Sequence, residues 1–512
     1  MLAAMPTASD QPIRPNTAPP RDRDDACPGA LRLHAADDGA LARIRIPGGV
    51  LTAAQAQALG AAAARLGDGE IHLTSRGNAQ LRGLGAACGA ELGQLLDAAG
   101  LLPSAAHERV RNIVASPLSG LDGRGHLDIR PWLRELDALL CAGAAATALS
   151  GRFLFALDDG RGDVAALAPD IALRAAPHGR ARLTVGRAAP LLISANAAPR
   201  AAFLAAELFL TAAAAAPTPT WRVTDLPDGG ASLIPELALR LHRFGIPTLA
   251  SDASDNSRPR PATSDGPSSA DPRPGADPEP TAPQPPAVSR SALGGGPALG
   301  MIPNSRALHG DVALSVLAPL GRLTAGQWRA LVDVAARGEV RLTPWRGVVV
   351  TGVDAARARE ELAALASAGL VTDAGSPWVG IGACAGRPGC AKSLADVRAD
   401  AAAALRPDDG DPRAHVPPGA PAVSRSDDRA PHPDVPSDAP PADPKSGDLP
   451  VYWAGCERGC GRPRGDRVDV VATARGYRVD VVRHGAVRTS STPRPPDLAA
   501  TVAAARSGAV SR

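Results

Sequence analysis

Four cysteines near the end of the chain constrain its fold more than any other feature. The chain has 512 residues and seven cysteines, and the pattern C-x5-C followed by C-x3-C places four of them at Cys384, Cys390, Cys456 and Cys460. Thiolates are soft ligands that suit an iron–sulfur cluster or a tetrahedral zinc ion. Both pairs stand among glycines, which let backbone pass close to a bulky group and leave amides free to donate to sulfur. The pattern therefore predicts a metal centre.

Three interpretations of these cysteines are open. Structural zinc usually takes shorter gaps between its ligands, so the five-residue gap favours a larger cluster. Otherwise the same cysteines are small buried hydrophobic residues or two disulfides. The remaining cysteines, Cys27, Cys88 and Cys141, have no partner spacing, and we interpret them as buried hydrophobic residues. We expect the cluster.

Composition indicates a globular protein. Hydrophobic residues make up 45% of the chain and aromatic residues 3%, so the core is built from Ala, Val and Leu. A net charge of +3 gives no indication of nucleic-acid or membrane-surface binding. The start of the chain lacks the pattern of a secretory signal, and the most apolar window, Ala201–Ala216, is interrupted by Glu207 and too short for a bilayer. We expect a cytoplasmic protein with reduced cysteines and no nucleic-acid or membrane partner.

Two distant stretches share one pattern: a strand, a T-x-x-Q capping box, a helix, and a strand of the form E-φ-x-L-T. In the first stretch these are a strand at 40–46, the box Thr52–Gln55, a helix to about Leu66, and strands at 70–73 and 80–84. In the second they are a strand at 311–317, the box Thr324–Gln327, a helix to about Arg337, and the stretch Glu339–Val350. The shared order predicts an internal duplication.

The cysteine pattern resembles the [4Fe–4S] signature of the siroheme-type sulfite and nitrite reductases, a family related to the precorrin-3B synthases. The phrase A-C-A-G-R-P-G-C-A-K-S-L, which holds Cys384 and Cys390, is most similar to the synthases. The resemblance implies an α+β fold with a duplicated nitrite/sulfite reductase-like architecture. Such a fold has two ferredoxin-like half-domains and two larger α/β lobes, joined here by disordered low-complexity linkers.

On this fold the predicted segments are a disordered N-terminus (1–26), ferredoxin-like half-domain 1 (27–100), lobe 1 (101–250), a disordered linker (251–296), ferredoxin-like half-domain 2 (297–375), the iron–sulfur lobe 2 (376–500) with a disordered insertion (406–450), and a C-terminal tail (501–512). The insertion separates the two cysteine pairs along the chain. Because loop closure costs little more as a loop lengthens, it need not separate the thiolates in space.

Arginine-rich segments match those that contact the tetrapyrrole carboxylates in siroheme enzymes. The resemblance implies substrate binding by Thr74, Arg76, Gln80, Arg82, Arg111 and Asn112. The macrocycle carries about eight carboxylates, and the planar fork of arginine binds each one bidentately. Arg32, Arg43 and Arg45 are further candidates, although any one of these arginines is equally typical of a solvated surface. In the second repeat Trp345 replaces Arg76, and core packing is its more typical role than ring stacking.

Substrate class is indicated by two positions in the stretch R-F-L-F. Related sulfite and nitrite reductases place a Lys-x-Lys pair there to hold a small anion, whereas this chain has Arg152 and Leu154. A leucine supplies no positive charge, and losing one charge-assisted hydrogen bond to a buried anion costs on the order of 1.5–3 kcal/mol. The chain is therefore poorly equipped to reduce sulfite.

The resemblance implies an O2-dependent monooxygenase that converts precorrin-3A to precorrin-3B, by C20 hydroxylation and γ-lactone formation, in aerobic cobalamin biosynthesis. The implied cofactors are the [4Fe–4S] cluster and a mononuclear non-haem iron, whose ligands are unassigned because no H-x3-H or HExxH pair occurs. NADH-derived electrons would arrive through a separate reductase or ferredoxin, since no G-x-G-x-x-G motif follows a strand. The alternatives are a siroheme-dependent sulfite or nitrite reductase and a non-catalytic iron–sulfur electron carrier.

Overall fold

The computed structural model describes residues 27–249, 296–305, 310–405, 448–463, 465–491 and 498–507. Within these ranges the chain forms four five-stranded sheets and nine α-helices. The segments predicted to be disordered, 1–26, 251–296 and 406–450, lie outside the described residues, apart from residues 296 and 448–450. The predicted mixture of helices and strands is confirmed, and the sheets fall into two arms and two lobes.

The first arm is an antiparallel sheet covered by two helices. Its elements are β1 His34–Ala36, β2 Gly39–Ile44, β3 Val50–Thr52, α1 Ala53–Leu66, β4 Ile71–Leu73, β5 Ala79–Leu84 and α2 Gly89–Ala98. The Thr52 side chain accepts from the Gln55 N–H at 3.2 Å, and the Gln55 side chain accepts from the Thr52 N–H at 3.1 Å. This confirms the first capping box, and α1 ends at the predicted residue.

Lobe 1 is a mixed sheet with three helices. Its elements are β6 Ile113–Ala115, α3 Arg130–Ala142, β7 Phe155–Asp158, β8 Ile171–Ala176, β9 Arg180–Val185, β10 Leu191–Ser194, α4 Ala198–Ala214 and α5 Leu233–Arg243. The helical segment Ala195–Ala214 is the one part of the described chain with the length and apolar composition of a membrane span. More than half of its most apolar window, 56%, is buried in the protein, where α4 packs on β8 and β9. Core packing in lobe 1 thus accounts for its composition.

The second arm and lobe 2 repeat this arrangement. The arm contains β11 Gly300–Pro303, β12 Asp311–Leu317, β13 Arg322–Leu323, α6 Ala325–Val334, β14 Glu339–Leu342, β15 Gly347–Asp354 and α7 Ala358–Ser367. Lobe 2 contains β16 Ile381–Ala383, α8 Val397–Ala404, β17 Val451–Ala454, β18 Arg467–Thr473, β19 Gly476–Arg483, β20 Ala486–Ser491 and α9 Leu498–Arg506. The predicted tail from residue 501 begins inside α9, whose Val502 and Ala505 are buried in the lobe 2 core.

The two arms exchange a strand. The sheet orders are β1-β2-β5-β4-β13 in the first arm and β11-β12-β15-β14-β3 in the second. Arg322 of β13 pairs with His72, and Thr52 of β3 pairs with Glu339. The arms also share one hydrophobic core. Within it, the Trp328 indole N–H of the second arm donates to the Ala56 carbonyl of the first at 2.8 Å. The duplication is therefore an interlocked pair of arms.

The lobes have the same topology. Their sheet orders are β6-β7-β8-β9-β10 and β16-β17-β18-β19-β20, and in each the first three strands are parallel and the last two antiparallel. Ligand sites in such sheets lie beyond the carboxyl ends of parallel strands. In lobe 2 those ends lead directly into the two cysteine motifs.

Candidate iron–sulfur centre and arginine-lined site

The two cysteine pairs leave neighbouring parallel strands at the same sheet edge. β16 ends immediately before Cys384, and β17 ends two residues before Cys456. The Cys384 N–H continues the ladder by donating to the Trp453 carbonyl at 3.0 Å. The sheet thus brings together motifs that the insertion separates along the chain.

The four thiols fit a cluster better than a single ion. All are free cysteines. Burial raises the pKa of Cys460 against the opposing charge of Arg458, and the neighbouring thiols Cys384, Cys456 and Cys390 raise it further. In the described part of the chain no three cysteine sulfurs lie within 4.8 Å of one another, whereas a zinc ion with Zn–S bonds of about 2.3 Å holds its sulfurs about 3.8 Å apart. The thiols are therefore not in the tight arrangement that a single zinc ion requires.

Backbone around Cys384 is arranged to donate to sulfur. The Gly455 N–H donates to Cys384 Sγ at 3.2 Å. A Cβ atom at Gly455 would lie 1.9 Å from Ser393 Oγ, so no larger residue fits there without displacing the chain. Amide donors of this kind stabilise the negative charge of cluster thiolates. The glycine noted in the sequence therefore has a specific steric role.

The first arm holds the loop that carries Cys390. Arg82 donates through Nε and Nη2 to both Asp38 carboxylate oxygens, at 2.7 and 2.8 Å, and Nη2 also donates to the Gly389 carbonyl at 2.6 Å. The Ala391 N–H donates to the Asp37 carboxylate. These contacts flank Cys390 on both sides. That Arg82 also binds substrate stays a prediction, and in this structure its guanidinium positions the cysteine loop.

Cationic side chains surround the cysteine loops. Arg398 donates through Nε to the Cys384 carbonyl at 3.1 Å, and the Arg346 guanidinium lies 5.7 Å from the centre of the Tyr452 ring. The Tyr452 hydroxyl donates to the Cys460 carbonyl. Burial, together with the charges of Arg322, Arg346 and Arg82, lowers the pKa of Arg398 to about 10. Such a concentration of positive charge stabilises an anionic group at this place.

A second arginine group lies where the first arm meets lobe 1. Burial, and then the charges of Arg222 and Arg45, lowers the pKa of Arg76 to about 10. Arg76 donates weakly to the Gly151 carbonyl at 3.5 Å and forms no ion pair within the described residues. Arg45 donates to the same carbonyl at 3.0 Å. Arg76 is therefore the predicted arginine with most capacity left for an outside carboxylate.

The Thr74 turn is fixed to lobe 1 through amide side chains. Thr74 Oγ1 accepts from the Asn78 N–H at 3.1 Å, which closes the turn around Arg76. Asn78 donates to Asn112 at 3.0 Å, and Asn112 donates to the Phe153 carbonyl at 2.9 Å. Thr74 and Asn112 therefore position the turn, and their predicted contact with substrate remains a prediction.

The other two predicted residues also have partners in the protein. Arg111 donates to both Asp137 oxygens at 2.7 Å and to the Leu101 carbonyl at 3.2 Å, which fixes α3 to the start of lobe 1. The Gln80 side chain accepts from Arg43 Nη2 at 3.2 Å. Arg43 Nη1 also lies 3.9 Å from Cys27 Sγ. Arg43 and Gln80 thus extend the Arg45–Arg76 group.

The positions that bear on substrate class lie in lobe 1. Leu154 is 2% exposed and packs with Val114, Ala156 and Val164, next to the partly buried Trp345. The Arg152 guanidinium stacks on the Trp221 ring at 4.3 Å. Trp345 packs against this cluster, as we expected for a tryptophan at this position. The surroundings of Leu154 are therefore apolar.

Sequence reasoning missed the residue in lobe 1 that is equivalent to Cys384. Ser116 follows β6 as Cys384 follows β16, and its N–H donates to the Leu157 carbonyl at 3.0 Å. Ser116 Oγ accepts from the Asp159 N–H at 3.2 Å, as Cys384 Sγ does from Gly455. Asp38 and Arg398 were missed as well, because each acts on residues distant in sequence. The equivalence of Ser116 and Cys384 becomes visible only when the sheets of the two lobes are aligned.

Comparison with known proteins agrees with the two arms. The family model described as the nitrite/sulfite reductase ferredoxin-like half domain matches residues 34–98 and 306–368. A solved structure of the Mycobacterium tuberculosis NirA protein superimposes with a TM-score of 0.60 at 18% identity, covering 90% of this chain and 79% of that one. These findings confirm the predicted duplicated fold.

Curated relatives match part of the chain. A precorrin-3B synthase from Sinorhizobium sp. is 35% identical over 154 residues, 30% of this chain and 33% of the relative. The ferredoxin–nitrite reductase of Synechococcus elongatus is 39% identical over 127 residues, 24% of this chain and 25% of the relative. That of Leptolyngbya laminosa is 34% identical over 100 residues, 19% and 20% of the two chains. The matched segments thus span a third or less of each relative.

The two arms thus match the nitrite/sulfite reductase ferredoxin-like half domain, and the arms and lobes together have the fold of the NirA protein. The curated proteins similar to this chain are redox enzymes, and they include both a precorrin-3B synthase and nitrite reductases.

Proposed function

We propose that this chain is a precorrin-3B synthase, an O2-dependent monooxygenase acting on precorrin-3A in the cytoplasm. In the reaction one oxygen atom enters the macrocycle at C20 and the other leaves as water. Two electrons come from NADH through a separate reductase or ferredoxin. The ring A acetate then closes the γ-lactone. The 35% identity to a precorrin-3B synthase supports this assignment.

The observation that carries the proposal is Leu154. The related reductases have a second cation at this position for a small oxyanion, whereas here a buried leucine is packed among apolar side chains. A bound sulfite or nitrite would lose a charge-assisted hydrogen bond there. The site favours a ligand whose negative charges lie at its periphery, as they do in a polycarboxylate macrocycle.

The chain's own residues hold the substrate and the cluster. Arg76 and Arg45 would pair with peripheral carboxylates, and Thr74, Gln80, Asn112 and Arg111 would keep that group in place. Cys384, Cys390, Cys456 and Cys460 would ligate the [4Fe–4S] cluster, with Arg82 positioning the Cys390 loop. When bound, the cluster supplies one-electron transfer that no side chain provides.

A mononuclear non-haem iron is the second cofactor in this proposal. Such iron takes imidazole and carboxylate ligands. Within the described residues one group of suitable side chains lies close together, Asp68, Glu70 and His72.

Isotope incorporation tests the proposed reaction. Protein purified without oxygen should show a broad cluster absorption bleached by dithionite, no haem bands, and more iron than sulfide, because the mononuclear iron adds to the iron of the cluster. With precorrin-3A, an electron donor and isotopically labelled dioxygen, it should yield precorrin-3B that carries one labelled oxygen atom. Label absent from the product, or no product from cluster-loaded protein, would contradict the proposal.

A siroheme-dependent nitrite or sulfite reductase is the second candidate. The 39% identity to a nitrite reductase and the NirA-like fold favour it. A siroheme absorption band, with reduction of nitrite or sulfite by a chemically reduced donor, would establish it in place of the monooxygenase. A cluster-containing protein that binds no tetrapyrrole would instead indicate an electron carrier.

A further inference from the structure

The stretch Asp68-Gly-Glu70-Ile-His72 leads into β4 and carries three potential ligands at alternate positions. Asp68 lies in the bend before β4, where Gly69 has a φ of 81° and the Glu70 N–H donates to Asp68 Oδ1 at 2.9 Å. One ligand atom from each of the three residues lies within 4.8 Å of the others. His72 Nε2 is 3.7 Å from both Asp68 Oδ2 and Glu70 Oε2. That is too long for hydrogen bonds, and it matches the separation of about 3–4 Å between ligands that share one ion.

The ring nitrogen at the centre of this group faces the two carboxylates at ion-pair distance, and it forms no hydrogen bond among the described residues. His72 is 6% exposed. A buried polar atom left without a hydrogen bond costs free energy.

The second arm shows what fills the same place there. Its equivalent stretch reads Arg337-Gly-Glu-Val-Arg341, so Glu339 matches Glu70 and Arg341 matches His72. Arg341 is 2% exposed, and its Nη2 pairs with Glu339 Oε2 at 2.8 Å. The second arm thus supplies its own buried cation. The first arm replaces both arginines, one by an acid and one by a histidine.

We propose that Asp68, Glu70 and His72 bind one divalent first-row transition-metal ion, with water completing its coordination. One imidazole and two carboxylates suit Mn²⁺, Fe²⁺ or Zn²⁺. The proposal rests on the geometry of these residues and stands whichever reaction the chain catalyses.

The site is linked to the candidate cluster by one side chain. Arg398 Nη1 lies 3.3 Å from His72 Nδ1, and Arg398 Nε holds the Cys384 carbonyl at 3.1 Å. A metal on Nε2 leaves the ring proton on Nδ1, so Arg398 turns its Nη1 group away while Nε keeps the carbonyl. Besides Arg398, a second cation faces the group: Arg322, whose Nε is 3.3 Å from Glu70 Oε2 and whose side chain is 46% exposed. Its exposure lets it move aside.

Mn²⁺ is the probe that separates this site from the cysteines, because thiolates are poor ligands for it. The full-length, cluster-loaded protein is titrated anaerobically with Mn²⁺, and the loss of the free-ion electron paramagnetic resonance signal measures binding. We expect one ion per chain. Asp68→Asn and Glu70→Gln, which keep side-chain shape, should each weaken binding by about tenfold or more. His72→Gln should do the same.

Asp97→Asn is the control, since it removes a carboxylate exposed on α2 of the same arm. It should bind Mn²⁺ as the unmodified protein does. Circular dichroism and cluster absorbance report whether each variant is folded, independently of any enzymatic activity. Absence of stoichiometric Mn²⁺ binding by the unmodified protein, or unchanged affinity in folded Asp68→Asn and Glu70→Gln, would overturn the proposal.

Discussion

Arg76 carries a charge that the protein itself leaves largely uncompensated. Its pKa, lowered to about 10 by burial and by Arg222 and Arg45, still leaves it cationic at neutral pH. Arg222 has Asp170 at 2.5 Å, whereas Arg76 has no such partner among the described residues. A substrate carboxylate would supply one. Binding an anion would thus compensate the charge of Arg76, whereas the charges of Arg82 and Arg111 are already compensated by carboxylates.

We expect Arg76→Met to weaken the binding of an octacarboxylate porphyrin by tenfold or more, because one charge-assisted hydrogen bond contributes on the order of 1.5–3 kcal/mol. Quenching of porphyrin fluorescence measures the affinity. Arg357→Met, at an exposed position just before α7, is the matched control. Equal affinities in the two variants would show that Arg76 does not contact the ligand.

Asp163 should make stability depend on pH. Burial, reinforced by the charge of Asp158 and opposed by the hydrogen bond from Ser116, raises its pKa to about 7. A carboxyl with a higher pKa in the folded state contributes stability that is fully present at acidic pH and is lost as pH rises from about 4 towards 7.

Asp163→Asn should therefore raise the melting temperature more at about pH 8 than at about pH 5. Scanning calorimetry at the two pH values tests this expectation. Asp333→Asn, at an exposed position on α6, should shift the two melting temperatures equally. An Asp163→Asn protein whose gain is the same at both values would contradict the assignment.

Residue-level prediction succeeded where the signal is local. The capping boxes at Thr52 and Thr324 depend on residues three apart and are present. The partners of Arg82 and Arg111 are 44 and 26 residues away, and no spacing rule links them. The sequence therefore predicts a binding role for these arginines, but it does not reveal that two of them are paired with carboxylates in the protein.

At the scale of elements, the β1–β2 hairpin acts as a clamp on the Cys390 loop. Asp38 and Arg82 hold Gly389, and Asp37 holds Ala391. We expect Asp38→Asn to lower the iron and sulfide content and to speed bleaching in air, because Arg82 loses the charge that orients it. Iron and sulfide assays measure this effect.

The matched control for the hairpin is Asp97→Asn, which also removes one acidic group from the first arm. It should keep the full cluster content. Full cluster occupancy and unchanged air stability in Asp38→Asn would show that the hairpin contacts do not hold the loop.

The α1–α6 contact depends on one tryptophan and one glycine. Trp328 packs over Gly60, where a Cβ atom would lie 2.6 Å from the indole ring. Trp328→Ala should lower the free energy of unfolding by about 3–5 kcal/mol, whereas Trp328→Phe, which mainly loses the hydrogen bond to Ala56, should cost about 1 kcal/mol. Urea denaturation measures both. Equal losses of stability in the two variants would show that the indole hydrogen bond, and not packing, provides most of the stabilisation.

Element prediction failed where a strand's partner lies in the other arm. Val50–Thr52 is too short to be identified by alternation, and it becomes β3 because β14 pairs with it. Helix α6 ends at Val334, three residues before the predicted end at Arg337, where the chain turns into β14. Local patterns thus gave the helix and the longer strands around each capping box, and sheet membership required tertiary contacts.

At the scale of the molecule, strand exchange and a shared core make the two halves interdependent. Residues 27–249 and 296–507, expressed together as separate chains, should form a stable one-to-one complex, because each supplies a strand and apolar surface to the other. Size-exclusion chromatography with light scattering measures the assembly. Two separately folded monomers would contradict this dependence.

The lobes show how one scaffold serves two purposes. Ser116 and Cys384 occupy equivalent positions, each accepting one amide from the neighbouring strand end at 3.2 Å. Only lobe 2 continues into thiols, because its loops carry Cys390, Cys456 and Cys460. The whole-molecule symmetry was predictable from the repeated arms, but the equivalence of the lobes was not, because their sequences share no visible pattern.

The exchanged strands also set an order of events during synthesis. A ribosome releases the first arm with the β4 edge open, since Arg322 and Leu323 of β13 are made only after all of lobe 1. The strand β3 likewise has no strand to pair with until β14 has been made. The nascent N-terminal half therefore presents two unpaired edges until the second arm emerges, and an open edge invites pairing with other chains. The sheets of both arms therefore close only when β13 and β14 of the second arm have been made, and not when the first arm is complete.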